Sequence, residues 1–139
     1  MRHGDVERIA AIEQTSPSPW STPLIAAELE RSQGLQLVAT GEDETIAGWC
    51  CGLAAAEAEL FKIAVSPPQR RSGLAKGLLL RFEDLCRERG CESLFLEVRA
   101  ANTAATGLYK SLGYETIGCR KKYYSNPLDD ALILRKSFL

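Results

Sequence analysis

Glu97 interrupts an apolar, strand-like run, Leu94-Phe95-Leu96-Glu97-Val98. A carboxylate among buried neighbours must be paired, solvated in a cleft or protonated. An ion pair with Arg99, two residues on and on the same strand face, meets that demand without any catalytic role. Tyr109 falls at helical spacing with Ala105, Leu108 and Leu112, the setting of a core aromatic whose hydroxyl finds some partner. Asn102 stands at the start of that helix as an N-cap, and capping does not exclude a ligand contact.

The stretch with the clearest chemistry lies upstream, from Ala64 to Gly77. A short apolar run, Glu59 to Val65, stops at Pro67 and Pro68, and Arg70-x-x-Gly73-x-Ala75 then opens a helix. Small residues let backbone approach a ligand, and the first turn of a helix has free N–H groups. Together these make a site for an anion, of which a pyrophosphate is the leading candidate. An ordinary loop with a glycine at a tight turn accounts for the motif equally well. It is not a nucleotide P-loop, since no Gly-Lys-Ser/Thr follows, and it lacks the first glycine of the dinucleotide fingerprint.

Positioning these residues takes a definite series of elements. Val6, Ile9, Ala10 and Ile12 mark a first helix to about Gln14, with Asp5 as N-cap. After a break containing Pro17 and Pro19, Ser21 or Thr22 caps a second helix with Pro23 in its first turn, ended by Gly34. Leu35–Thr40 and Thr45–Ala54 read as strands joined by a turn at Gly41-Glu42-Asp43-Glu44. The Glu59–Val65 strand, the loop and a helix over Ser72–Arg89 follow, with Leu74, Leu78, Leu79, Phe82, Leu85 and Cys86 on one face and Gly90 at the C-cap. Glu92–Arg99 is the next strand and Asn102–Ser111 a short helix stopped by Gly113. Tyr114 to about Tyr123 and Ala131 to about Phe138 form a last antiparallel pair. The order implies an α+β fold, in which the Glu59–Val65 and Glu92–Arg99 strands run parallel because a crossover helix joins them.

With 139 residues the chain can bury one core, and 45% hydrophobic and 25% charged residues are ordinary globular values. A net charge of −1 gives no general drive toward nucleic acid or anionic membrane, so an anion site must be local. Cys50, Cys51, Cys86, Cys91 and Cys119 are odd in number, form no Cys-x-x-Cys and have one histidine to join them, so no metal site is expected. Reduced, buried thiols are expected at Cys50 and Cys86. The first residues lack a signal-peptide pattern and no apolar run approaches the roughly 20 residues that span a bilayer, so a cytoplasmic protein is expected.

In this order, Arg70 through Ala75, Leu96-Glu97-Val98-Arg99-Ala100-Ala101-Asn102 and Leu108-Tyr109-Lys110-Ser111-Leu112-Gly113-Tyr114 resemble the GNAT superfamily of acyl-CoA-dependent N-acetyltransferases. The CoA-binding motif of that superfamily is Arg/Gln-x-x-Gly-x-Gly/Ala. Within it the chain is similar to the RimI type, which acetylates the N-terminus of a bacterial ribosomal protein. The likeness extends to Ile12-Glu13-Gln14, Pro19-Trp20-Ser21, Leu60 to Val65 and Tyr123-Tyr124.

The resemblance implies one domain over residues 1–139, with a mixed, mostly antiparallel central sheet and helices on both faces. It implies acetyl-CoA as co-substrate, bound by Ile63, Ala64 and Val65, by Arg71, Ser72, Gly73, Leu74, Ala75 and Lys76, and by Asn102. Glu97 would be the proton acceptor and Tyr109 the proton donor. The acceptor would be a protein N-terminus, an alanine of a ribosomal protein, attacking directly so that no cysteine serves as nucleophile. Ala75 replaces the second glycine, which the pattern allows. Family members begin with a strand before the first helix, whereas this chain opens almost at that helix, so a sheet of six strands starting near Leu35 is expected. Two other readings stay open: acetylation of a small amine such as a polyamine or aminoglycoside, and a catalytically silent CoA-binding module. The presence of both Glu97 and Tyr109 speaks against the second. The tract Arg120-Lys121-Lys122-Tyr123-Tyr124 favours a peptide acceptor over a polycation, unless it is a plain exposed strand end. Direct contact with nucleic acid or membrane is not expected.

Overall fold

Trp49 and Cys50 are neighbours on one strand, point to opposite faces of it and are both fully buried, which sets the layering of the molecule. The computed structural model describes residues 1–41 and 43–139. The strand in question, β2 (Ile46–Leu53), is covered on one side by α1 (Val6–Glu13) and α2 (Thr22–Glu28), whose Val6, Ile9, Ile12 and Ile25 pack around Trp49 and Cys51. On the other side Leu78, Leu79, Phe82 and Cys86 of α3 (Leu74–Glu88) pack with Cys50, and α4 (Thr103–Ser111) adds Tyr109 to that cluster. Helices thus cover both faces, and β2 reads as a continuous apolar run because neither face meets water.

Around β2 the strands are β1 (Gly34–Thr40), β3 (Glu57–Val65), β4 (Ser93–Arg99), β5 (Glu115–Tyr124) and β6 (Asp129–Ser137), in the spatial order β1-β2-β3-β4-β6-β5. Among the described residues only β3 and β4 pair in parallel, and every other neighbouring pair is antiparallel. The crossover α3 enforces that exception. Among the described residues the sheet has six strands and starts at Gly34, as expected. Residues 3–5 form a 3₁₀ turn, with Arg2 N donating to Asp5 Oδ2 at 2.8 Å. That contact occupies the Asp5 carboxylate, which therefore makes no capping bond to α1.

Ser21 caps α2, its hydroxyl accepting from Leu24 N at 3.4 Å. The helix stops at Glu28, well short of Gly34. The carbonyls of Ala26, Ala27 and Glu28 accept from the backbone N–H groups of Leu29, Glu30 and Arg31 in a tightened last turn, and Gln36 Nε2 adds a bond to the Glu28 carbonyl at 2.7 Å, so Gly34 is free to open β1. In the turn expected over 41–44, Glu42 lies outside the described residues, and Asp43 Oδ1 accepts from Thr45 Oγ1 at 2.6 Å. Among the described residues no helix is long and apolar enough to cross a membrane.

The feature that positions the site is a bulge. Cys51 pairs with Lys62 but Gly52 pairs with Leu60, leaving Phe61 as an extra residue on β3. A side chain at Gly52 would collide with the Glu59 carbonyl oxygen and come within 2.7 Å of the Phe82 ring, so the bulge needs glycine opposite it. Bulges bend strands, and the β3–β4 ladder ends where this one begins, at Leu60 opposite Leu96. Beyond it the two strands share no pairing and a wedge opens between them.

Candidate active site

The wedge holds a cavity of about 860 Å³ walled by Leu60–Val65 and Leu96–Arg99. Ile63, Ala64 and Val65 pair with β2 on one side only, opposite Cys50, Trp49 and Gly48, so their β4-facing edge is open to a ligand. One end of the cavity is the loop before α3. Gly73 is the N-cap of α3 at φ 84°, a left-handed conformation that favours glycine, and nothing lies within 4 Å of where its side chain would be. The N–H groups of the first α3 turn, at Leu74, Ala75 and Lys76, donate to no group among the described residues. Arg71 and Lys76 are exposed beside them with no carboxylate partner among the described residues.

Two side chains of this loop do otherwise. Ser72 is the one sequence candidate that does not line the cavity; its hydroxyl donates to the Gln69 carbonyl. Arg70 turns away from the helix N-terminus and donates to Val65 O at 3.1 Å and to Thr15 Oγ1 at 2.8 Å. The motif arginine thereby ties the loop to the end of β3 and to the linker after α1.

Glu97 lies just past the end of the β3–β4 ladder, on a stretch of β4 still paired with β6, and lines the cavity with its side chain 20% exposed. The ion pair it forms is with Arg120 Nε of β5 at 3.1 Å, and not with Arg99. Arg99 is engaged by Ser18, Ser125 and Pro127 instead. Glu59 of β3 lies in register with Phe95; burial first, and then the charge of Glu97, hold its carboxyl above the usual range. A second carboxylate near Glu97 was not evident in the sequence, because only the parallel register brings it there.

Tyr109 reaches the same cavity from α4 and is 6% exposed. Its hydroxyl has no hydrogen-bond partner among the described residues, yet no buried side-chain polar atom is left unsatisfied, so the hydroxyl opens onto the cavity. Burial, with smaller effects from Cys50 and Tyr124, pushes the phenol up to about 12. Asn102 caps α4 through Oδ1, which accepts from Ala105 N at 3.1 Å, and it also borders the cavity. A carboxylate and a protonated phenol thus face one space that runs to an open helix N-terminus.

Residues 6–114 match the acetyltransferase (GNAT) family. The chain belongs to the GNAT acetyltransferases. It is an acyltransferase, of a family that takes its acetyl group from acetyl-CoA. The ribosomal protein bS18-alanine N-acetyltransferase of Escherichia coli K12 is 39% identical over 127 residues, covering 88% of this chain and 84% of its own. The enzyme of the same description from Haemophilus ducreyi is also 39% identical over 127 residues, with 88% and 85% covered. The crystal structure of the E. coli ribosomal-protein-S18-alanine N-acetyltransferase superposes with a TM-score of 0.90 at 33% identity, over 99% of this chain and 90% of that one. Ard1 from Thermoplasma volcanium superposes at 0.88 with 28% identity, over 100% and 95%.

In this GNAT chain all five cysteines are free thiols, and Cys50, Cys51, Cys86 and Cys91 are buried. Burial pushes Cys50 and Cys86 up to about 12, far from the thiolate a nucleophile needs. The residue that sequence reasoning left without a role is Glu13. Its carboxylate is fully buried and accepts from Trp49 Nε1 at 2.9 Å and Trp20 N at 2.9 Å, with Lys62 Nζ at 3.3 Å. Glu13 falls on the apolar stripe of α1 with Ile9 and Ile12, and a charge on that face was the available signal.

Proposed function

We propose that this chain acetylates the α-amino group of a protein N-terminus, an alanine of a ribosomal protein, by direct attack on acetyl-CoA bound in the same cavity. The observation that carries this reading is that Glu97 and Tyr109 border one cavity with the unpaired edge of β3 and the open first turn of α3. The named activity of the E. coli and H. ducreyi relatives supports the choice of acceptor.

The free edge at Ile63, Ala64 and Val65 suits the amides of the pantetheine arm, as a strand adds to a sheet. A backbone N–H there serves the thioester carbonyl as its negative charge develops. The run Arg71, Ser72, Gly73, Leu74, Ala75 and Lys76 holds the pyrophosphate through main-chain N–H groups and two cations, Ser72 contributing backbone and loop shape only. Asn102 borders the same ligand. Glu97 takes the ammonium proton, through water, so that the amine attacks the thioester carbon; the C–N bond forms as the C–S bond breaks, and the second proton lost from nitrogen passes through water to the departing thiolate. Tyr109 faces the departing sulfur and donates its hydroxyl to it. A phenol with so high a pKa acts there first as a hydrogen-bond donor to the thiolate.

An α-amine has an unperturbed pKa of roughly 7.7–8.0 against about 10.4 for lysine, so near neutrality a single carboxylate suffices for the former and is mismatched to the latter. Glu59 adds negative charge near Glu97 but does not line the cavity. The test is acetyl-CoA-dependent turnover of paired peptides that differ only in a blocked α-amine or a blocked ε-amine, with polyamines alongside. A higher kcat/KM for the free α-amine is expected. Equal or faster lysine or polyamine acetylation would overturn the acceptor assignment.

A further inference from the structure

Two segments border or adjoin the cavity, and neither is held by a regular ladder. One is the linker 14–21 between α1 and α2, which carries Pro17 and Pro19. The other is the turn 125–128 joining β5 to β6, next to a stretch where the β5–β6 register breaks between Arg120 and Tyr124. Ser18 from the linker and Tyr124 beside the turn both line the cavity.

Arg99 reaches both segments. Its Nη2 donates to Ser18 Oγ at 2.7 Å and to Ser125 O at 3.3 Å, its Nη1 donates to Pro127 O at 2.8 Å, and the guanidinium lies 4.4 Å over the Tyr124 ring. Lys62 grips the same linker residue from β3, donating to Ser18 O at 2.9 Å. Arg99 sits at the end of β4, two residues past Glu97, so the joint is made beside the proposed base. The planar fork of an arginine can serve several acceptors at once, which a lysine ammonium on a single stem does poorly.

Building on the proposed function, we infer that Arg99 is a positioning residue that joins these two segments into one rim, and that this rim favours a chain terminus over a lysine side chain. A terminal amine carries its first peptide group immediately behind it, within reach of a rim whose Ser18 and Tyr124 both line the cavity and both meet Arg99. An ε-amine arrives on a four-carbon stem, and its peptide backbone stays outside the rim. Contacts made by a fixed rim therefore add to the binding of the first and little to that of the second. Loosening the rim removes the difference.

Arg99→Gln is expected to raise the KM of an α-amine peptide by about tenfold, the equivalent of one charged hydrogen bond, with kcat within about threefold. The α-to-ε preference in kcat/KM should fall by a similar factor, while CoA affinity measured by titration stays at the wild-type value. Arg99→Lys should fail to rescue. Hydrogen exchange, read without any substrate, should quicken at the amides of residues 15–20 and 125–128 together. Wild-type KM and exchange in an Arg99→Gln chain that binds CoA would overturn the inference, as would a fall in kcat alone or full rescue by Arg99→Lys. If Arg99→Gln does not fold, Ser18→Ala decides: loss of that one contact should raise the peptide KM about threefold and quicken exchange in the linker, and no change in either would overturn the inference. A wild-type chain that acetylates no peptide terminus would defeat the proposed function, and the exchange measurement would still decide whether Arg99 joins the segments.

Discussion

Arg120 Nε lies 3.1 Å from Glu97 Oε1, and the same guanidinium stands 5.6 Å from the centre of the Tyr123 ring. The carboxylate proposed as base is thus already paired with a cation, one whose side chain is 57% exposed. Exposed pairs of this kind exchange readily, and the ammonium of an incoming acceptor competes for the same oxygen. Arg120→Gln is expected to lower the acceptor KM about two- to fivefold, with CoA affinity unchanged. Steady-state kinetics on one peptide check it. A raised KM would mean that Arg120 holds Glu97 in place and is not exchanged for the substrate.

Tyr109→Phe should lower kcat by about 10²–10⁴-fold, the usual contribution of a general acid or base, and leave acetyl-CoA affinity unaltered. The pH dependence follows from burial. The folded phenol is raised from 10.0 to about 12, so its proton is held, and its contribution to rate kept, until pH approaches that value. The associated stability is fully present below pH 10, where the unfolded tyrosine is also neutral, and is lost as pH rises toward 12. A wild-type alkaline fall in kcat near pH 10 that disappears in Tyr109→Phe would contradict this.

Gly73→Val is expected to weaken CoA binding by about tenfold or more, because valine resists a left-handed conformation and its side chain would enter the space before the first turn of α3. Gly73→Ala should show a smaller loss of the same sign. Calorimetric titration of the folded variants measures both. Unchanged affinity would place the anion elsewhere.

Glu13→Ala should destabilise the fold by about 2–4 kcal/mol, since Trp49 Nε1 and Trp20 N lose their acceptor and Lys62 its counter-charge. Glu13→Gln keeps an acceptor for the tryptophan and should cost less. Urea unfolding distinguishes them. Equal stability of Glu13→Ala and wild type would show that the buried carboxylate is no better than an apolar replacement.

The elements were legible because their signals are local. The spacing of Leu74, Leu78, Leu79 and Phe82 marks α3 whatever surrounds it, the prolines at 67 and 68 end β3, and a crossover helix of that length requires β3 and β4 to be parallel. Motif order then joined Gly73, Glu97 and Tyr109 by resemblance, and all three border one cavity. The chain pattern alone did not reveal which charge meets which. Glu97 pairs with Arg120 and not with Arg99, because the partner of a long side chain depends on which strand lies alongside and on where the others are already anchored. Glu59 comes near Glu97 through the parallel register, and Glu13 meets Trp49 across 36 positions of chain. The end of α2 at Glu28 is likewise joined to a distant residue, the side chain of Gln36 adding to the local backbone bonds that close the last turn. Periodicity assigns a residue to a face, whereas register, bulge and rotamer assign it a neighbour, and these exist only once the sheet has formed.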